Sequence, residues 1–486
     1  MSVEPASADL PPVKWLGIRI TRARVLATLV IVTAVWGWVD VRVRGTIDPN
    51  SAIHKTDFTV YTEAGAAFFD GRDPYQVTNP RGWGYLYPPL FAILVSPLYY
   101  LPTEYQVLVW FALSVAMAWG CYLESVRIGR LALPHEPDRG PFGVIPNWLG
   151  CAAVATTLIP ALNCLQRGQV SIAKLYLLLL GVRLVIESRS RAKSFVAGWV
   201  LALPIVLKLT PILPVGIVLV QEFVAAWRAR VGFGRAAGAG VGTLTGLCAC
   251  MFLIPAALVG WNDNLRHLNS WSRWVAASGE LKNDSFAGDG TSLRNQSFTN
   301  GAVHLGNWAA HVFAGGPPDN TELQPGDPPR LMDSNSMRML LLGGRAGACL
   351  LLAVLGLSMG LTGAPLARVA GFAMACVATL IVAPIARAHY YTLMYPAVLF
   401  PALWLVTVGR LRTARLVAYV PIALVWGHYL ALDQLGRIGW LGLGTTLWFS
   451  CVSIVLVIEA VRQIRSPARA VEHEQTSDHS RRPLAA

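Results

Sequence analysis

Charge is scarce in this chain. Aspartate, glutamate, lysine and arginine make up only 14% of its 486 residues, against about 25% in an ordinary soluble domain. Acids are the scarcer sign, with 27 Asp+Glu against 40 Lys+Arg and a formal net charge of +13. So little charge excludes a cytosolic enzyme and a disordered chain. Cysteine is present but forms no framework: Cys121, Cys151, Cys164, Cys248, Cys250, Cys349, Cys376 and Cys451 all lie in or beside apolar runs. Cys248 and Cys250 make a C-x-C without a second pair at zinc spacing. These thiols read as small buried hydrophobes, which excludes a disulfide-stapled secreted domain. The sequence also lacks HExxH and any spaced His/Cys set, so no metal site is expected. The stretch GFGRAAG (232–238) departs from GxGxxG and follows no strand, so it is no nucleotide loop. There are no heptads and no short-period repeats, and no cofactor is called for.

What the chain has instead is apolar residues, 54% of the total, with a mean hydropathy of +0.48. Apolar runs fall near 23–40, 105–128, 146–165, 169–187, 194–208, 211–228, 235–260, 339–362, 369–386, 391–409, 414–432 and 439–461. At ~20 residues per span, this predicts an all-α integral membrane protein with about 12 transmembrane helices. The first run follows Lys14, Arg19, Arg22 and Arg24 and could be a signal peptide. VDVRVRG comes after it in place of a small-x-small cleavage site, which favours an uncleaved anchor. The stretch 86–101 (LYPPLFAILVSPLYYL) is short and broken by Pro88, Pro89 and Pro97. It reads as re-entrant or interfacial. GAGVGTLTG (238–246) reads as a small-residue helix-packing face.

Basic residues give the orientation. With the N-terminus in the cytoplasm, the inner loops 129–145, 188–193 (SRSRAK), 229–234, 363–368 and 410–413 and the tail hold most of the arginine. The short outer loops hold only Arg167, Lys208, Arg387 and Arg437. That asymmetry is the positive-inside pattern, and it accounts for the basic balance without nucleic acid. Residues 1–465 are expected to form one membrane domain, with long outer segments at 41–104 and 261–338. The polar tail 466–486 is expected to be disordered and cytoplasmic. Both termini then face the cytoplasm of a bacterial-type inner membrane. The sequons at Asn283 and Asn295 read as ordinary loop polarity.

One carboxylate stands out. In TDFTVYTEAGAAFFD (56–70), Thr56 suits an N-cap, Gly71 the C′ position, and Asp73-Pro74 ends the helix. Asp57, Tyr61, Ala64 and Phe68 share a face. The picture is a short helix on the outer surface presenting Asp57 in its first turn, where the helix dipole favours a carboxylate. The plainer alternative is that Asp57 only caps. Around it, the outer turns supply Arg167 and Gln169 with Lys174 one turn on, Lys208 before Thr210-Pro211, and Arg387 with His389 and Tyr390. Each cation alone could snorkel to the interface. As a group they suit a lipid-linked phosphate, with the carboxylate as base for an acceptor hydroxyl.

The block DFTVYxxAGAAFFDGRDPY (57–75), followed by YLYPPL (85–90), resembles glycosyltransferase family 87, of the GT-C superfamily. GQVS (168–171), KLTP (208–211), NQSF (295–298) and AHYY (388–391) add to the likeness, which spans about 55–400. The family includes polyprenol-phosphate-mannose-dependent α-1,2-mannosyltransferases. The resemblance implies a GT-C-type bundle and inverting transfer of a hexose, mannose first, from a polyprenyl-phosphate donor to a glycolipid or polysaccharide acceptor. It makes Asp57 the general base and puts His389 beside acceptor or phosphate. It also marks Tyr61, Tyr87, Asn295 and Gln296 as substrate-binding, with Gln169, Arg167, Lys174, Lys208 and Arg387. A pentosyltransferase acting on arabinofuranosyl phosphate lipid is the nearest alternative. A lipid-linked sugar transporter is the competing class, although transporters carry their polar groups near the midplane. A purely structural membrane protein would need no such constellation.

The expected topology can be tested by cysteine labelling in a Cys-free background. An impermeant thiol reagent added outside should modify a cysteine placed at Gly315 or Asp327 and spare one at Arg189. The reverse pattern would put Asp57 in the cytoplasm.

Overall fold

A computed structural model describes residues 56–78, 84–138, 140–279, 295–314 and 335–465, with short pieces between 14 and 39. Most of the first apolar run, the sequon at Asn283, the Gly/Pro-rich stretch 315–334 and the tail 466–486 lie outside the described residues. The fold is helical. Among the described residues, extended pairing is confined to Lys14–Trp15 against Ile18–Arg19 and one bridge, Thr78 to Gly84.

Every apolar run from residue 105 onward is a helix. Seven segments are long and apolar enough to cross a membrane: Thr103–Ala132, Asn147–Arg167, Gly234–Val259, Arg338–Thr362, Pro365–Val382, Ala388–Thr407 and Trp440–Arg465. Three more apolar helices, Ser171–Glu187, Arg191–Leu207 and Ile212–Arg228, are 17 residues each, about 26 Å long at 1.5 Å per residue. We number the helices used below in chain order: α1 Thr59–Phe69, α2 Pro89–Val95, α3 Thr103–Ala132, α4 Asn147–Arg167, α5 Ser171–Glu187, α6 Arg191–Leu207, α7 Ile212–Arg228, α8 Gly234–Cys248, α9 Trp261–Gly279, α10 Phe298–Ala314, α11 Asn335–Thr362, α12 Pro365–Val382, α13 Met394–Thr407, α14 Leu411–Leu430 and α15 Trp440–Arg465. The proline-broken stretch 86–101 gives only α2 and a 3₁₀ turn, Ser96–Tyr100. The segment 261–338 is less loop-like than its polarity suggests, since α9 and α10 both lie in it.

α12 and α13 form the centre and are buried along nearly their whole length. They are apolar on all sides, as a helix enclosed by others must be. α4, α7, α11, α14 and α15 pack around them. The small-residue face of α8 does what its composition implies. A Cβ on Gly242 would stand 2.0 Å from the Phe195 carbonyl oxygen, and one on Gly198 would stand 2.1 Å from that of Ala239. α6 and α8 therefore touch backbone to backbone.

Buried acids gather at one end of the bundle. Near the C-termini of α3 and α5, Glu124 is bound by Arg127 at 2.7 Å and by Arg183, which also holds Glu187. Glu222 at the end of α7 meets Arg368 at the start of α12. Glu459 near the end of α15 takes Arg410 at 2.8 Å and Arg462 at 2.6 Å. Each acid is neutralised on the spot, as burial requires of Glu124 and Glu459.

Gly242→Val should force α6 and α8 apart. The expected loss is ~1–3 kcal/mol of stability from overpacking, read as a lowered unfolding midpoint in detergent. An unchanged midpoint would mean that the two backbones are not in contact.

Candidate active site

The opposite end of the bundle holds a polar cavity of about 70 Å³, lined by Asp57, Val60, Tyr61, Gly84, Leu86, Tyr87, Gln169, Lys208, Ile385, Arg387, His389 and Tyr390. It is assembled from five stretches of chain: the entry and first turn of α1, the 84–87 loop, the α4–α5 turn, the α6–α7 turn, and the 385–390 turn after α12.

Asp57 is positioned by backbone and side chain together. Its N–H donates to the Arg167 carbonyl at 3.0 Å. Gln169 Nε2 donates to Asp57 Oδ2 at 2.9 Å, and Arg167 Nη1 stands 3.5 Å from the same oxygen. The Gln169 amide is oriented from its far side: Oε1 accepts from Tyr61 OH at 3.3 Å and Tyr87 OH at 3.2 Å. Burial pushes the Tyr61 and Tyr87 hydroxyls well above their usual pKa, with Asp57 adding to the shift in both. Both phenols therefore stay protonated and act as donors. With two donors on Oε1, the amide must turn its NH₂ toward the carboxylate.

Gly168 makes this approach possible. It caps α4 in the left-handed region, φ +66°, and a Cβ there would stand 2.8 Å from the Phe58 Cβ. Phe58 in turn stacks on Trp110 at 5.0 Å, which fixes the residue next to Asp57 from the other side.

The local structure differs from the sequence reading in several places. α1 begins at Thr59, so Asp57 precedes the first turn instead of occupying it. Phe58 takes the N-cap position, and its N–H donates to Thr56 Oγ1 at 3.1 Å. α1 does not lie on the surface. It is buried almost all round because Tyr85, Phe91 and Trp110 pack against it, and a Cβ on Gly65 would stand 2.5 Å from the Ala92 carbonyl oxygen of α2. Asp57 is itself only 6% exposed, and what it faces is the cavity. Gly71, with φ +71°, does follow the helix as expected.

The expected cations converge in part. Lys208 and Arg387 line the cavity. Lys208 Nζ bonds the Tyr390 hydroxyl and lies 4.0 Å from the centre of that ring and 5.3 Å from the Tyr87 ring. His389 also lines it, its Nδ1 lying 3.4 Å from Asn163 Oδ1 of α4. Arg167 reaches Asp57 from the side. Lys174 is not in the cavity: it is 1% exposed one layer behind, with Nζ 3.3 Å from Thr210 Oγ1 and 5.4 Å from the Tyr390 ring. Asn295 and Gln296 are not in it either. They clamp the 385–390 turn, Gln296 N–H donating to the Ala386 carbonyl at 2.7 Å and Ala386 N–H to Asn295 Oδ1 at 3.0 Å. Tyr391 OH adds a bond to the Gln296 carbonyl at 2.6 Å. Tyr85, in the same stretch as Tyr87, is fully buried and bonds the Pro88 carbonyl at 2.7 Å.

The neighbouring apolar cavity was not foreseen from the chain's residues. It has a volume of about 400 Å³ and is lined chiefly by Leu86, Pro88, Leu209, Ile212, Leu213, Trp271, Val275, Val382 and Ile385. Leu86, Lys208, Ile385 and Tyr390 belong to both cavities. α9 walls it with Trp271, whose Nε1 donates to the Leu86 carbonyl at 3.2 Å, and Ser270 ties the same helix to Asp73 at 2.9 Å. Only the folded chain unites these segments. Among the described residues, no three His, Cys, Asp or Glu side chains gather as a metal site.

A polar, carboxylate-bearing cavity joined to an apolar one at the end of a membrane bundle fits an enzyme acting on an amphiphile. The family model for glycosyltransferase family 87 matches residues 85–384, well over half the chain, and the chain belongs to that family. It is a membrane glycosyltransferase. The matched region contains Tyr87, Arg167, Gln169 and Lys208, whereas Asp57, Tyr61, Arg387 and His389 lie just outside it. No curated protein and no solved structure matches the chain.

Asp57→Asn should lower turnover by ~10²–10⁴-fold, the usual range for a lost general base, with the unfolding midpoint unchanged. Gln169→Leu, which frees the carboxylate from its clamp, should lower turnover less than Asp57→Asn. Near-normal turnover by Asp57→Asn would remove Asp57 from the chemistry.

Proposed function

We propose that the protein transfers a hexose, mannose first, from a polyprenyl-phosphate sugar to a hydroxyl of a glycolipid or polysaccharide acceptor, with inversion at the anomeric carbon. The single observation that carries this reading is the junction of the two cavities at Lys208 and Tyr390. A prenyl chain suits the apolar side. Its phosphate then falls beside Lys208 and Arg387, and the sugar faces Asp57.

The chemistry asks little more. The acceptor oxygen attacks the anomeric carbon, the bond from that carbon to the phosphate oxygen breaks, and the electron pair leaves on the phosphate. The acceptor proton passes to the Asp57 carboxylate. Phosphate is already a good leaving group, so cations to stabilise it and one base suffice. A transporter is less well supported, since the carboxylate stands at the end of the bundle and not at the midplane.

The reading includes a bundle of about twelve spans, in which the three 17-residue helices cross with the seven longer ones. A span needs ~20 residues, range ~17–25. Both termini are cytoplasmic, and the Asp57 cavity opens on the outer side of a bacterial-type cell membrane.

The test is an assay of purified protein with polyprenyl-phosphate mannose and candidate glycolipids, reading sugar transfer and release of polyprenyl phosphate. Transfer from a nucleotide sugar, or none from any prenyl phosphate donor, would overturn the proposal. Filling the groove probes it separately. Leu213→Trp should cut kcat/KM for a long-chain donor by roughly tenfold, the worth of one or two buried methylenes, and spare a donor with a single short prenyl unit. Equal effects on both donors would put the lipid elsewhere.

A further inference from the structure

α11 carries two arginines where a membrane helix rarely tolerates one. Arg338 and Arg345 both fall within the apolar segment Arg338–Thr362. They continue a stripe of alternate three- and four-residue steps through Leu341, Ala348, Leu352, Leu355 and Met359, all of which are 7% exposed or less. That stripe is the face α11 turns toward α12 and α15. The arginines therefore sit where the helix meets its neighbours, and both remain partly exposed at that seam.

Snorkelling does not account for Arg345. It stands seven residues, about 10 Å, further into the segment than Arg338. Its Nη2 donates to Thr299 Oγ1 at 2.6 Å, which holds the head group against α10. That contact depends on close helix packing, since a Cβ on the adjacent Gly344 would stand 2.5 Å from the Phe298 ring. The neighbouring side of α10 is polar and buried: Thr299, Asn300 and His304 are each at most 4% exposed.

Neither arginine has an acidic partner among the described residues, and the Nε atoms of both are buried without a hydrogen bond. The buried acids at the other end of the bundle are each matched by arginine. These two arginines are the reverse case, cations within a membrane helix whose counter-charge the described chain does not supply. Charges in such a place are functional by default. Two guanidinium groups offering planar donor pairs suit phosphate best.

We propose that Arg338 and Arg345, with Thr299, form a seat for the phosphate of an anionic membrane lipid, separate from the Asp57 cavity. The seat is on the same side of the bundle: Thr299 lies one turn from Gln296, which clamps Ala386 beside Arg387. Side chains on a helix lean toward its N-terminus, so the Arg345 guanidinium is carried toward the turn next to Arg338, on the same face. A lipid reaches it laterally from the bilayer, and its acyl chains stay in the membrane beside α10 and α11.

Native mass spectrometry of the full chain, released from bilayers of phosphatidylcholine with and without phosphatidylglycerol, tests the assignment. No sugar donor is present, so the result is independent of the reaction proposed above. The wild-type protein should retain phosphatidylglycerol in preference to phosphatidylcholine. Arg345→Gln should lower that retention by about tenfold, the worth of one charge-assisted contact. Arg345→Lys should fall between, because it keeps the charge but not the fork. Arg338→Gln, near the helix end, serves as a second variant should Arg345→Gln fail to fold. Equal retention of the two lipids by the wild type, or undiminished phosphatidylglycerol on the glutamine variants, overturns the proposal. So does displacement of the bound lipid by inorganic phosphate alone, which would make the seat one for free phosphate.

Discussion

The site depends on one tie, between the chain entering α1 and the turn joining α4 to α5. Asp57 gives its N–H to the Arg167 carbonyl, and Gln169 gives its amide to the Asp57 carboxylate. Residues 110 positions apart in sequence are thereby locked into one rigid unit. An Asp on a loop would be a mobile charge; here Phe58 is stacked, Gly168 yields space, and two tyrosines orient the glutamine. The entropy of holding a carboxylate in one place is met by packing before any substrate arrives.

The tie also explains why α1 is buried. A helix that only displayed Asp57 could lie on the surface. One that must hold Tyr61 against Gln169 has to be enclosed, and α2, α3 and α9 enclose it. The same enclosure shapes the apolar cavity, because Leu86 and Trp271 are drawn in with it. Polar and apolar cavities meet at Lys208, whose ammonium group faces the Tyr390 ring. An ammonium at such a boundary can stay among aromatic faces until an anion comes.

Charge is divided along the bundle. At one end Glu124, Glu222 and Glu459 are each neutralised by arginine, and those contacts fasten helix to helix. At the other end cations outnumber acids: Arg167, Lys208 and Arg387 stand around the single carboxylate of Asp57. A structural end and a chemical end follow from the same few charges. The division is enforced by the low-dielectric middle, where an unmatched charge is expensive.

Much of this was legible in the sequence. Hydropathy runs located the helices from 105 onward, with several ends three or four residues off, because a bilayer leaves helix as the one economical answer for such segments. The motif residues Asp57, Tyr61, Tyr87, Gln169, Lys208, Arg387 and His389 were named in advance, and all line one cavity. What the sequence could not decide was depth and contact. It put Lys174, Asn295 and Gln296 in the site, whereas the fold puts them a layer behind or makes them clamps for the 385–390 turn. It placed α1 on the surface, whereas its polar residues have partners inside the fold, Tyr61 on Gln169 and Thr62 on Gln106. It was silent on the apolar cavity, whose lining comes from four separated stretches of common residues. Periodicity and composition report what a segment needs from its surroundings; which segment supplies it is settled only when distant parts of the chain meet.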